Sequence, residues 1–238
     1  MLSRIAESLF WVGRYVERAD DTSRILDTHL QLLLEDPWIS EDLACRSLLA
    51  VMGAAPPPVG EQISPAHVMQ TLGYNRVNPG AIAGALDAAR ENARRARETI
   101  STELWECLNT TRNDLAQVIT SRTTPDFFAW VRERAAVATG ITDSATSRDQ
   151  IWTFIVLGRS IERADMTARL VATRAVAGSS GPSWTTLLRS CGAYEAFLRA
   201  YRGSASDALA AEFLLLDPLF PRSVVYALRQ AEQCLVAL

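Results

Sequence analysis

The sequence predicts an all-α fold, a multi-helix bundle with two pseudo-repeated halves at about residues 1–52 and 147–200. Apolar residues recur at the helical period along most of the chain, and no segment shows the strict alternation typical of a half-buried strand. The breaks between the apolar runs fall where proline and glycine cluster, as expected for loops between helices. One motif, GRxxERADxTxR, occurs twice, beginning at Gly13 and at Gly158. We therefore expect residues 1–238 to form a single helical domain.

The breaks divide the chain into successive helices. These are predicted at about residues 3–35, 39–52, 65–72, 79–108, 111–120, 125–138, 147–177, 183–201, 206–215 and 220–237. Residues 53–60, of sequence GAAPPPVG, are the clearest linker, because consecutive prolines favour an extended backbone. An Asp-Pro pair at 36–37 ends the first helix, and GSSGP at 178–182 forms a second loop. Asn78 is expected to cap the fourth helix, with Pro79 at its first position.

Composition excludes several classes of function. The 238 residues carry a net charge of −3, so the chain lacks the strongly basic character of a nucleic-acid-binding protein. No apolar run reaches the ~18–20 residues that span a bilayer, and the N-terminus lacks the layout of a signal peptide. We therefore expect a cytoplasmic protein with neither a nucleic-acid nor a membrane partner. All 24 basic residues are arginine, which excludes chemistry that depends on a lysine Schiff base.

Residue types that usually mark metal or nucleophilic sites are sparse. The four cysteines form no CxxC pair and the two histidines lie in no ExxH motif, which disfavours zinc sites and ferritin-like di-iron sites. A glycine-rich phosphate loop and a GxSxG elbow are also absent from the sequence. We therefore predict no metal site, although carboxylates alone would suit Mg²⁺. Enzyme chemistry here would use carboxylates as acids and bases and arginine for electrostatic stabilisation.

Each copy of the motif places charged residues on the apolar face of its helix. At 100° per residue, three charged side chains lie in the middle of that face, and two arginines flank them. In the first copy these are Glu17, Asp20 and Arg24, flanked by Arg14 and Arg18. In the second copy they are Glu162, Asp165 and Arg169, flanked by Arg159 and Arg163. The two glutamates are the candidate catalytic groups, and the other eight residues are candidate ligand-binding groups.

Two glycines begin the motif copies in the middle of predicted helices. Glycine inside a helix is destabilising by about 0.5–1 kcal/mol relative to alanine. The presence of glycine at positions 13 and 158 is therefore explained if two backbones, or a backbone and a ligand, approach closely there.

The charged residues of the motif have two interpretations, which the sequence leaves open. In the first, they form a buried ion-pair seam, in which Glu17 and Asp20 neutralise Arg24 and an arginine of the partner helix. In the second, they form a site between two related helices, where arginines bind a carboxylate or phosphate and acids place an amine or a metal.

Four stretches of the chain, taken in order, resemble the bacterial alpha-E family, long classed as a domain of unknown function. They are MLSRIAESLFWVGRYVERAD at 1–20, ARENAR at 89–94 with STELWECLN at 101–109, the second motif copy at 158–169, and LLLDPLFPRS at 214–223. The resemblance spans the chain and implies an all-helical fold. It also implies association with circularly permuted ATP-grasp ligases and transglutaminase-like proteases, encoded beside the family member or fused to it.

The resemblance extends the set of candidate residues. Glu91 joins the catalytic candidates by its matching motif, and Arg94, on the same charged helix face, joins the ligand-binding candidates. No cofactor of the chain's own is implied, and ATP and Mg²⁺ would enter through the ligase partner. Typical members continue further beyond the FPRS motif at 220–223, and a terminal hairpin missing here would remove part of a site or interface.

Three functional hypotheses follow from these observations. The leading one is an accessory partner of an ATP-grasp ligase in peptide biosynthesis or modification, which binds the ligase, the peptide or an acyl-phosphate intermediate. The second is an enzyme that transfers or hydrolyses an acyl group with Glu17 or Glu162 handling the proton. The third is a scaffold whose charged seam only sets the register of its helices.

Overall fold

The computed structural model describes residues 1–35, 40–55, 57–58, 60–177, 182–202 and 206–238. These residues form eleven α-helices and no strand, which confirms the predicted all-α bundle. The helices are α1 (Ser3–Glu35), α2 (Glu41–Val51), α3 (Pro65–Val68), α4 (Ile82–Arg95), α5 (Thr102–Ser121), α6 (Thr124–Ala145), α7 (Gln150–Ala177), α8 (Trp184–Ser190), α9 (Tyr194–Ala200), α10 (Asp207–Leu216) and α11 (Val224–Ala237). A π-helical turn, Met69–Tyr74, continues α3.

Serine and threonine side chains begin many of these helices. Each lies at an N-cap and accepts a hydrogen bond from a backbone amide of the first turn, which would otherwise lack a partner. Helices capped in this way follow Ser40, Ser64, Ser101, Thr123, Ser183, Ser206 and Ser223. Local sequence therefore determines where most of the helices start.

Helix α1 is the central element, since it packs against α7, α4, α6 and α8. Helix α7 lies beside it in the same direction. The N-terminal amine of Met1 contacts Gln150, Gly13 faces Ile155, and Glu17 bonds Arg163 further along both helices. On its other side α7 packs against α11. The two long helices that carry the motif copies are thus neighbours in the middle of the bundle.

The predicted helix 79–108 is two helices, so that prediction is wrong. Helix α4 ends at Arg95, a turn follows, and Ser101 caps α5 by accepting a hydrogen bond from the backbone amide of Leu104. The two helices fold back on each other, with Arg90 donating to Asn109. The buried apolar stripe continues through the turn, which is why its periodicity looks unbroken in the sequence.

Two further boundaries differ from the predictions. Asn78 does not cap α4, because Ala81 occupies the N-cap and the Asn78 side chain accepts from Gly80 in a local turn. The predicted helix 183–201 is divided into α8 and α9 around Gly192, whose φ of +60° favours glycine.

The remaining predictions have mixed outcomes. The predicted helix 111–120 is the second half of α5. The Asp-Pro pair at 36–37, residue 39 and most of the loop 178–182 lie outside the described residues, as do residues 56 and 59 of the linker. The division into pseudo-repeated halves stays a prediction. None of the helices in the described ranges has both the length and the apolar character needed to cross a bilayer.

Candidate functional site

The two motif glycines lie where α1 and α7 cross. A Cβ on Gly13 would lie 2.0 Å from the backbone oxygen of Ile155, and a Cβ on Gly158 would lie 2.0 Å from that of Phe10. Neither position has room for a side chain, because the obstructing atoms are backbone and cannot rotate away. The close approach expected from the sequence is therefore between two backbones.

One helical turn beyond the crossing, the motif copies exchange ion pairs. Arg163 donates to both carboxylate oxygens of Glu17, at 2.6 and 3.0 Å. Arg18 donates to both oxygens of Glu162, at 2.6 and 2.9 Å. We call these four residues the clasp. Bidentate arginine–carboxylate pairs are strong and geometrically specific, so the clasp sets the register of α1 against α7.

The Glu162 end of the clasp holds a second arginine. Arg14 also donates to Glu162, and its guanidinium lies over the rings of Phe10 and Trp11, at 5.9 and 5.7 Å from their centroids. The Glu162 residue is 0% exposed. One buried carboxylate is thus compensated by two arginines, and aromatic rings lie against both of them, since Arg18 lies over the Tyr15 ring at 5.4 Å.

The Glu17 end contains two further acids and an arginine from a distant part of the chain. Arg222 donates to Glu17 at 3.0 Å, to Asp21 at 3.0 Å and also to Asp20. The hydroxyl of Thr167, in the second motif copy, donates to the backbone oxygen of Arg222 at 2.8 Å. Helix α7 therefore helps to place the arginine that neutralises the acids of α1.

Sequence reasoning missed two members of this group. Arg222 belongs to the FPRS stretch, immediately before Ser223, the N-cap of α11. Nothing in this local sequence indicates which acids Arg222 pairs with. Asp21 lies at a variable position of the motif, where the second copy has Met166. The first copy has two adjacent acids, Asp20 and Asp21, where the second copy has only one. This difference was the signal in the sequence that the two ends of the seam are not equivalent.

Burial and neighbouring charges set the ionisation of the acid group. Burial raises the pKa of Asp21 to about 8, and the negative charge of Glu17 adds to this effect, while Arg222 opposes it. Burial also disfavours the charged form of Glu17, but Arg163 and Arg222 outweigh it and hold its pKa below the ordinary value. At neutral pH, Glu17 is thus a carboxylate and Asp21 mostly a neutral acid.

Replacing Asp21 with asparagine is expected to raise the melting temperature by an amount that grows with pH. Between its ordinary pKa of 3.8 and its folded pKa of about 8, Asp21 holds a proton in the folded protein that the unfolded chain releases. Raising the pH through this window therefore destabilises the wild type, and asparagine lacks that contribution. Calorimetry between about pH 5 and about pH 9 measures the difference. The exposed Asp114→Asn is the control, and parallel wild-type and Asp21→Asn curves would contradict the assignment.

The other motif residues form pairs around the clasp. Arg24 bonds Asp20 at 3.1 Å, and Arg169 bonds Asp165 at 2.9 Å, each within its own helix. Arg159, which matches Arg14 in the repeat, instead bonds Asp143 of α6 at 3.0 and 3.2 Å. The predicted seam residues are thus brought together, but their partners in the two copies are not equivalent.

Glu91 and Arg94 lie apart from this seam. Both are on the exposed face of α4, where Arg94 donates to Glu91 at 2.7 Å and Arg95 lies 3.6 Å from it. The structure therefore does not bring these two candidates together with the clasp residues.

The acids at the Glu17 end resemble a metal-binding group in their spacing. Oxygens of Glu17, Asp20 and Asp21 lie within 4.8 Å of one another. The Arg222 guanidinium contacts all three carboxyl groups, so this group already holds a cation supplied by the chain. One oxygen each of Asp20 and Asp21 has no hydrogen-bond partner. The donor set thus fits an internal guanidinium better than a divalent ion.

Comparison with known proteins gives one family and a few relatives. The model of the Alpha-E family, described as a predicted alpha-helical domain with a conserved ER motif, matches residues 1–238. Uncharacterized proteins of Mycobacterium bovis and of Mycobacterium tuberculosis are 25% identical over 95% of this chain. The chain spans only 29% of the length of these curated relatives. No solved structure shows significant similarity to it.

Proposed function

The chain belongs to the Alpha-E family, and from this premise we propose that it is a non-catalytic helical module of an ATP-grasp amide-ligase system. In this role it binds the ligase, or the peptide or acyl phosphate that the ligase handles, during peptide biosynthesis or modification. The link to a ligase, and to a transglutaminase-like protease, comes from the family resemblance. The non-catalytic role is supported by the geometry of the clasp.

The observation that carries the proposal is the internal pairing of both motif glutamates. Glu17 is 2% exposed and Glu162 is 0% exposed, and each accepts hydrogen bonds from two arginines. A general acid or base must come within hydrogen-bond reach of its substrate. Neither glutamate lines any of the larger cavities found in the described part of the chain. The clasp is better suited to holding two helices than to handling a proton of a ligand.

The length of the relatives also supports a module. The match covers 95% of this chain but only 29% of the relative. In those proteins the matching segment is therefore joined to other sequence. Because the charged residues of the motif pair with each other inside the bundle, contacts with such neighbouring sequence would be made by its outer surface. Localisation in the cytoplasm, where a ligase would find ATP and Mg²⁺, is part of the same proposal.

The enzyme hypothesis has one residue in its favour. Asp21 combines burial with a pKa of about 8, and such values are common among catalytic acids. It is, however, 5% exposed and bonded to Arg222. An enzyme would therefore require α11 and its preceding loop to move before a substrate could reach the acids. The pure scaffold hypothesis differs from our proposal only in having no ligand or partner.

We expect the chain to co-purify with an ATP-grasp ligase from the same organism and to change the rate of amide-bond formation by that ligase. The measurement is a pull-down with tagged chain, followed by a ligase assay with and without the chain in ATP and Mg²⁺. An unrelated helical protein of similar acidic charge is the control. Absence of both co-purification and a rate change would contradict the proposal. Turnover of a peptide or acyl phosphate by the chain alone would favour the enzyme hypothesis.

A further inference from the structure

A groove of about 560 Å³ lies between the beginning of α1 and the end of α4. One wall is a helical stripe of α1 with Arg4, Glu7, Ser8, Trp11 and Tyr15. The opposite wall comes from α4 and the turn after it. Its volume falls within the range of about 300–1,000 Å³ that is typical of small-ligand sites.

The α1 wall contains a fixed aromatic surface. Trp11 and Tyr15 are stacked with centroids 5.1 Å apart and planes at 25°. Arg14 and Arg18, which both hold Glu162, lie over these two rings at 5.7 and 5.4 Å. The ion pairs of these two arginines with Glu162 thus help to hold the aromatic wall in place. A preorganised aromatic surface binds an apolar side chain with little loss of conformational entropy.

The neutral polar groups of the groove offer acceptors. The side chains of Ser8, Asn92 and Thr99 each donate a hydrogen bond to a backbone oxygen of their own helix or turn, at 2.8–2.9 Å. The hydroxyl donors of Ser8 and Thr99 and one of the two N–H donors of Asn92 are therefore used, while the oxygen lone pairs of all three side chains stay available. Such a lining suits ligands rich in N–H groups, as peptides are.

The charged groups of the groove are balanced between the two signs. Arg4 and Glu7 lie on α1, and Arg95 and Glu98 lie on the opposite side. Within the described ranges, Arg4, Glu7 and Glu98 form no ion pair, and Arg95 has only the 3.6 Å contact with Glu91. A polyanion or a nucleotide phosphate would meet both glutamates, whereas a zwitterion would find a partner for each of its charges.

We propose that this groove binds a short peptide with a free amine and a free carboxylate, its apolar side chain packed against Trp11 and Tyr15. Glu7 and Glu98 hold the amine, and Arg4 and Arg95 hold the carboxylate. The inference deepens the proposed function by naming a peptide as the ligand, and it rests on that function only for the source of the peptide. Binding itself is a property of the isolated chain.

Isothermal titration calorimetry of the isolated chain tests the proposal with alanyl-leucyl-alanine. Its N-acetylated form and its C-terminal amide are each expected to bind about tenfold more weakly, since each loses the charge-assisted contacts at one end of the peptide. The pair of substitutions Arg4→Gln and Arg95→Gln should abolish the difference between acid and amide. The pair Glu7→Gln and Glu98→Gln should abolish the effect of acetylation. All four residues are exposed, so the variants should fold, and the exposed Glu106→Gln is the control.

Three outcomes would overturn the inference. They are no binding of the free tripeptide at millimolar concentration, equal binding of all three peptide forms, and binding of adenosine monophosphate in preference to the peptide. A chain that co-purifies with the ligase but does not bind the tripeptide would overturn the groove assignment alone. A chain that binds the tripeptide but neither co-purifies with the ligase nor changes its rate would overturn the proposed function alone.

Discussion

Replacing Gly13 with alanine is expected to lower the free energy of unfolding by about 3 kcal/mol or more, at the upper end of overpacking effects. The new methyl group would lie 2.0 Å from the backbone oxygen of Ile155 and 2.9 Å from the backbone nitrogen of Arg159. Helices α1 and α7 would have to separate, which would also lengthen the hydrogen bonds of the clasp. Gly158→Ala should behave in the same way, because its methyl group would meet Phe10 and Arg14.

Gly140→Ala is the matched control for these substitutions. Gly140 also lies inside a helix, α6, but a Cβ there would have nothing within 4 Å. Alanine should therefore stabilise the protein by about 0.5–1 kcal/mol, since only the helix propensity changes. Urea denaturation of the three variants separates the two effects. A Gly13→Ala protein as stable as Gly140→Ala would contradict the close crossing of α1 and α7.

The second large effect is expected for Glu162→Gln, which should lower the free energy of unfolding by about 3–5 kcal/mol. Glutamine keeps the size of the side chain but removes the negative charge that compensates Arg14 and Arg18. Both guanidiniums are largely enclosed, with 15% and 18% of their side-chain surface exposed, so water compensates them poorly. The nearest remaining acid is Asp165, at 3.7 Å from Arg14.

The control for charge removal is Glu91→Gln. Glu91 also pairs with arginines, but its side chain is 39% exposed, and surface changes of this kind usually alter stability by less than about 0.5 kcal/mol. Thermal and urea unfolding of both variants give the comparison. If Glu162→Gln unfolds like the wild type yet removes an activity of the chain, the clasp is a catalytic site and the non-catalytic proposal is wrong.

Local sequence was sufficient for the helical class, for the two motif-bearing helices and for the buried, charged character of the seam. Periodicity identified the first helix and the helix of the second motif copy, because a helix that buries one face repeats its apolar residues every three or four positions. The same projection placed Glu17 and Asp20 on a buried face, where they are 2% and 5% exposed. Glycine in mid-helix indicated a close approach, which the crossing of Gly13 and Gly158 confirms.

Local sequence was insufficient where a contact joins distant parts of the chain. The partner of Glu17 could be any buried arginine, and the choice of Arg163 and Arg222 depends on which helices become neighbours. The turn after Arg95 was hidden for a related reason, since the apolar stripe packs against the same core on both sides of it. Glu91 was included through its motif alone, although α4 turns that residue towards the solvent.

The sequence by itself determined the helical class, most helix starts and the burial of charged residues on α1 and α7. Each of these depends on residues within a few helical turns of one another. Only the tertiary structure decided that the two motif copies hold each other, that Arg222 completes one end of the seam, and that Trp11 and Tyr15 line a groove between α1 and α4. The reason is physical, since side-chain periodicity specifies which face of a helix is buried but not which helix will cover it.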